Sequence, residues 1–190
     1  MKKISSIILA ISALASFSAS ANSITLQLLS GVNNAGGSAW AYQMIFANSD
    51  LENGDFITLH DFGPVTAQIL PAGWSLSQSL LGSTPSQLSP VDSAGVLNAT
   101  LTWGGGSAPQ GTAVGPIFLL QSPYDLSNTD TIDYSTLDHV MAGLNAGDPS
   151  KVLSTVLGTR APTVPDAGLT VGLLGSALLA VEGLRRRLSK

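Results

Sequence analysis

A hydrophobic segment closed by a knot of arginines sets the strongest limit on how this chain can fold. From Gly168 to Leu184 the sequence is predominantly apolar over 17 residues, with Glu182 its one charge, and Arg185, Arg186, Arg187 and Lys190 follow it. As a helix the segment spans roughly 25 Å at about 1.5 Å per residue, slightly less than the roughly 30 Å hydrocarbon core of a bilayer. It crosses if the membrane thins or its flanks snorkel. The arginines then stay on the cytoplasmic side and act as a membrane stop, which leaves everything before Val164 outside. Gly172, Ser176 and Ala180 recur every fourth residue and form a smooth stripe suited to another membrane helix. Such a segment cannot also belong to the core of a soluble domain.

Just before the helix stand Val164, Pro165, Asp166, Ala167 and Gly168. A short motif, an apolar helix and an Arg-rich end, in that order, resemble the PEP-CTERM sorting signals of Gram-negative bacteria, in the Val-Pro-Asp-Ser-Gly variant form. The resemblance implies recognition by an exosortase, a membrane enzyme that cuts near the motif and releases or transfers the exported protein. It also implies a transient hold in the inner membrane before delivery to the cell surface or the extracellular polymeric matrix of a biofilm.

The other end is a targeting segment too. Lys2 and Lys3 precede an apolar run from Ile4 to Phe17, and Ala19-Ser20-Ala21 supplies small residues where a signal peptidase cuts, at Ala19 and Ala21. The expected organisation is a signal peptide over 1–21, handed to the Sec export machinery, an exported domain over 22–160, and a sorting signal over 161–190. Within the last, the motif is 164–168, the transmembrane helix 168–184 and the Arg-rich tail 185–190.

The body between these ends has room for one domain with a real core. It holds ten of the twelve acidic residues, but only two of the eight basic ones, Lys151 and Arg160. That balance repels nucleic acid and anionic lipid and suits solubility outside the cell. With no cysteine, stability must come from apolar burial rather than disulfides.

Periodicity points to an all-β body, a two-sheet antiparallel β-sandwich flanked by the signal-peptide helix and the transmembrane helix. Trp40, Tyr42, Met44 and Phe46 alternate onto one face of a strand over 39–47. Further strands are expected over 24–29, 55–62, 65–70, 74–80, 95–103 and 113–120, separated by turn-forming Gly, Pro and Asn. Leu137 to Leu144 reads as a possible helical turn within an ambiguous stretch. The segments 53–62, 71–74, 98–103 and 115–118 resemble those recurring in small PEP-CTERM exported proteins, a class that implies a β-sandwich cargo and brings no catalytic residues.

Candidate chemistry within the body is sparse. His60 and His139 are the only histidines, and no Gly-x-Ser-x-Gly nucleophile elbow accompanies them, so both read as surface or strand-face residues and the chain as a non-enzyme without cofactors. Asp55 and Asp61, six residues apart in one expected strand, lie roughly 20 Å from each other and are too distant for glycoside hydrolysis. Asp125, Asn128, Asp130 and Asp133 form an oxygen-rich stretch that is a weak calcium candidate, as do Asp50, Glu52, Asn53 and Asp55, although neither follows a calcium-loop spacing. Asn98-Ala99-Thr100 matches a glycosylation sequon inside an expected strand. Trp40, Trp74 and Trp103 are the residues able to stack on sugar rings, which makes an extracellular polysaccharide-binding module the alternative to a structural cargo.

Overall fold

The computed structural model describes residues 23–106, 111–141 and 146–159. The expected signal peptide, sorting motif, membrane helix and Arg-rich tail lie outside these residues. Nine strands follow in order: β1 (Ser23–Asn34), β2 (Gly37–Asp50), β3 (Phe56–Leu59), β4 (Ala67–Ile69), β5 (Trp74–Ser79), β6 (Asn98–Trp103), β7 (Gly111–Ser122), β8 (Thr129–Val140) and β9 (Pro149–Thr159). The one helical feature among the described residues is a 3-10 turn, Leu126–Asn128, and no helix there is long and apolar enough to cross a membrane.

Every strand pairing is antiparallel, and the class is all-β. The strands form one continuous sheet that curls into a half-barrel, rather than two sheets separate from each other. One wing is β1-β2-β7-β4 and the other is β9-β8-β3-β6-β5. They are joined along one edge of β2, where β1 pairs with Gly37 to Ala47 and β8 takes over, Val140 and His139 pairing with Ser49 and Asp50.

The alternation along β2 explains the core. Trp40, Tyr42, Met44 and Phe46 are all at most 1% exposed, and each such side chain contributes roughly 1.5–3 kcal/mol by leaving water. Facing them from the other wing are Ile57, Leu59, Leu101, Ile132, Tyr134 and Val156. Hydrogen bonds cross the gap as well: Tyr42 Oη donates to Leu157 O at 3.1 Å, Leu26 N to Tyr134 Oη at 3.3 Å and Thr136 Oγ1 to Ile24 O at 3.5 Å. Burial pushes the Tyr42 phenol far above its ordinary value, so it stays a neutral donor.

Local chemistry sets the turns. β1 and β2 form a hairpin closed by Ala35 and Gly36, after which Gly37 adopts φ +122°, and any Cβ there would come 2.1 Å from Ser122 O. Only glycine fits. The expected helical turn at Leu137–Leu144 is corrected in its described part: Leu137 to Val140 extend β8, held by β9 on one edge and by β3 and the end of β2 on the other, while 142–144 lie outside the described residues. The expected strand over 55–62 is shorter than its alternation suggested, because Asp61 takes φ +56° and turns the chain away.

Candidate functional site

Two polar clusters stand out within the body, each centred on a histidine. The first is built on the outer face of the β8 wing. Directly opposed residues of neighbouring strands, Ser135, Thr58 and Thr100, form a polar row there, with the Thr58 and Thr100 hydroxyls 3.0 Å apart. The connection between β5 and β6 covers this row, and Gly82 sits so close to Thr58 and Asn98 that a Cβ would collide with both.

His60 lies under that connection, fully buried, with Nε2 2.9 Å from Ser135 Oγ and Nδ1 3.9 Å from Asp92 Oδ2. Three consecutive residues of the connection are strapped over it. Val91 N donates to Asp133 Oδ2 at 2.6 Å, Asn98 Nδ2 reaches both oxygens of Asp92 at 3.1 Å, and Ser93 donates to Asp61 through N and Oγ, both at 2.8 Å. Asn98 Oδ1 in turn accepts from Asp61 N at 2.7 Å. A recess of about 160 Å³ beside His60 is lined by Asp61, Val91, Thr131, Ile132 and Asp133. Desolvation holds the imidazole below its ordinary pKa, although Asp92, Asp133 and Asp61 pull the other way.

Ser135, His60 and Asp92 have the residue types of a hydrolytic relay, a juxtaposition that sequence spacing did not reveal. Its geometry is that of a structural network. Ser135 and His60 are both 0% exposed, and 3.9 Å is too long for a hydrogen bond from Nδ1 to the carboxylate. His60, expected on a surface or a strand face, is a core residue. The sequon asparagine is equally committed: Asn98 is fully buried and its amide binds Asp61, Asp92 and Leu80.

The second cluster forms where the wings join. Asp55 is 1% exposed, and His139 Nδ1 lies 3.1 Å from its Oδ1 and 3.2 Å from its Oδ2. Asp55 Oδ2 also accepts from Glu52 N at 2.8 Å, and His139 Nε2 faces Glu52 Oε2 at 3.9 Å. Burial raises the Asp55 carboxyl above its ordinary pKa, and the Glu52 amide and His139 oppose the shift. Next to His139 along β8, Asp138 points inward with Ile132, Tyr134 and Thr136 and is fully buried. Neither of its oxygens has a hydrogen bond of proper geometry, and the nearby Ser49 hydroxyl donates to Ala47 O instead. Desolvation pushes the Asp138 carboxyl up to about 6.

The expected calcium ligands have local tasks. Asp125 caps the 3-10 turn, accepting from Ser127 N at 2.9 Å and from its hydroxyl, and these bonds hold its pKa down. Asp130 Oδ1 accepts from Thr131 N at 2.8 Å, and Asp133 anchors Val91. Among the described residues no three His, Cys, Asp or Glu groups are placed to hold a metal ion.

The sugar-stacking role expected for the tryptophans meets a correction. Trp40, Trp74 and Trp103 are 1%, 7% and 3% exposed, so no indole face is open to a sugar ring. Trp40 Nε1 donates to Ser38 Oγ at 2.8 Å, and Trp74 packs on Trp103 with centroids 5.6 Å apart. Each indole fills the space between the wings.

Ser135 and His60 of the first cluster are sealed from solvent, whereas His139 and Glu52 of the second reach it; the part of the chain with a specific signature is its C-terminal segment. No curated protein matches the sequence. The family model described as the VPDSG-CTERM motif matches residues 163–188. The chain thus carries a sorting signal of the PEP-CTERM-like kind, the mark of a secreted, surface-directed protein handled by the export and sorting machinery.

Proposed function

We infer that the protein is a non-enzymatic exported cargo: a β-rich body that crosses the inner membrane by the Sec route and is held there transiently by the helix over 168–184. An exosortase then processes it at Val164–Gly168, and it is delivered to the cell surface or the extracellular polymeric matrix. The observation that carries this reading is the VPDSG-CTERM match over residues 163–188. Two others support the non-enzymatic part. Ser135 and His60 are sealed from solvent, and Asp61, Asp125 and Asp133 act as caps and loop anchors. An acidic, cysteine-free body suits life outside the cell, where it needs no oxidative folding step.

Removal of residues 164–190 tests the proposal. The full chain should pass through a membrane-bound, larger form to a smaller exported one, and the truncated chain should lose both the membrane stage and the size change. Identical localisation and size for the two chains would refute it. Polysaccharide binding has less support, because the stacking residues it needs are in the core.

A further inference from the structure

The two wings differ in what covers their outer faces. On the β8 wing the β5–β6 connection lies over a polar row. On the β1-β2-β7-β4 wing the outer face is open among the described residues, and it is uncharged. The four strands carry no Asp, Glu, Lys or Arg except Asp50, at the last position of β2. Register places Ile45 opposite Val114, Gln43 opposite Ile117, and Ala41 opposite Leu119, which is itself opposite Ile69. Val114, Ile117 and Ile69 are 71%, 45% and 65% exposed. Between them lie Ala39, Ala41, Gln43 and Ile45 of β2 and Leu119 of β7. At one border runs β4, three residues long and exposed throughout, with no strand on its far side among the described residues.

We propose that this face is a self-association surface, whose partner is the same face of a second copy of the chain. Charge selects the occupant. The body carries ten acidic residues against two basic ones, nearly all on the other wing and its connections, so copies repel each other in most orientations. Only the uncharged face lets two copies approach without bringing carboxylates together. A two-fold pairing of identical faces satisfies that condition for both partners at once. A sugar chain is disfavoured because the face has no exposed aromatic ring. The area is roughly 30 Å by 20 Å, or about 600 Å² per partner, at the low end for specific interfaces, so the association is reversible and rises with local concentration. This inference does not depend on how the sorting signal is processed.

Sedimentation velocity of the full chain in a nonionic micelle tests it, over about 1 to 100 μM. The expected result is a monomer–dimer equilibrium that tightens when salt rises from about 0.05 to 0.5 M, because screening removes the repulsion between acidic bodies. Val114→Glu and Ile117→Glu should each weaken the dimer at least about tenfold, and the milder Ile117→Ser should weaken it less. Leu81→Glu, at a still more exposed apolar residue outside this wing, should leave it unchanged. Circular dichroism of each variant separates lost association from lost folding. A monomer at every concentration, or equal weakening by Leu81→Glu, would overturn the proposal. So would a monomer whose Val114 and Ile117 mediate binding to dextran or to phosphatidylcholine vesicles, which would assign the face to another occupant.

Discussion

His139 and Asp55, 84 residues apart in sequence, meet with Nδ1 3.1 Å from Oδ1 at the point where β2 passes from one wing to the other. The same carboxylate accepts from Glu52 N, so it fixes both the turn before β3 and the end of β8. Replacing it should loosen the join between the wings. Asp55→Ala strands the Glu52 amide and should cost about 1–3 kcal/mol, whereas Asp55→Asn keeps an acceptor and should cost less. Urea unfolding checks this through the midpoint at unchanged slope.

Asp138 should make stability depend on pH in a defined direction. Its folded-state pKa is raised from 3.8 to about 6, so the folded chain holds this proton more tightly than the unfolded one. The protonated form is favourable below about pH 4; stability then falls as pH rises and levels off above about 6, a loss of about 3 kcal/mol. Asp138→Asn should raise stability at pH 7 and flatten this slope, read from melting temperatures at pH 4 to 8. The lowered pKa of His60 works oppositely, withdrawing stability below its ordinary value of 6.5. In the Asp138→Asn background the largest opposing slope is gone, so the acid-side loss from His60 should become visible.

Gly158 of β9 lies beneath the bond between Tyr42 and Leu157. A Cβ there would come 2.6 Å from Ile132 Cδ1 and 3.1 Å from Tyr42 Oη. Gly158→Ala should therefore push the wings apart and cost about 1–3 kcal/mol. Its melting temperature, compared with that of Gly95→Ala, where nothing lies within 4 Å, checks the effect.

The buried indoles give an optical prediction. Tryptophan emission should be blue-shifted and resistant to iodide in the folded protein, and titration with soluble glycans should leave it unchanged. Quenching or a shift on adding a glycan would mean that Trp40, Trp74 or Trp103 opens to solvent.

Much of the sheet was legible because one face of each strand meets the core and the other does not. Trp40, Tyr42, Met44 and Phe46 announced β2 by simple alternation, and the small residues between them marked its outer face. β8 was not legible for the opposite reason. Around Ser135 and Thr136 both faces are buried, one under the β5–β6 connection and one against β1, with hydroxyls on each, so no hydrophobic period of two survives. The histidine clusters were hidden too. His60 meets Ser135 and His139 meets Asp55 only through strand pairings 75 and 84 residues apart, and no local motif encodes those distances. The continuity of the sheet depends on Ser49 and Asp50 of β2 pairing with β8, which composition does not show.

The sorting signal is the opposite case, a linear code read directly from residues 163–188. The intact mass of the protein recovered from outside the cell tests that reading most directly. The account predicts a chain that begins at Asn22 and lacks the apolar segment over 168–184 and Arg185 to Arg187, cut close to Val164–Gly168. A protein found in the cytosol with both Met1 and Lys190 in place would contradict it.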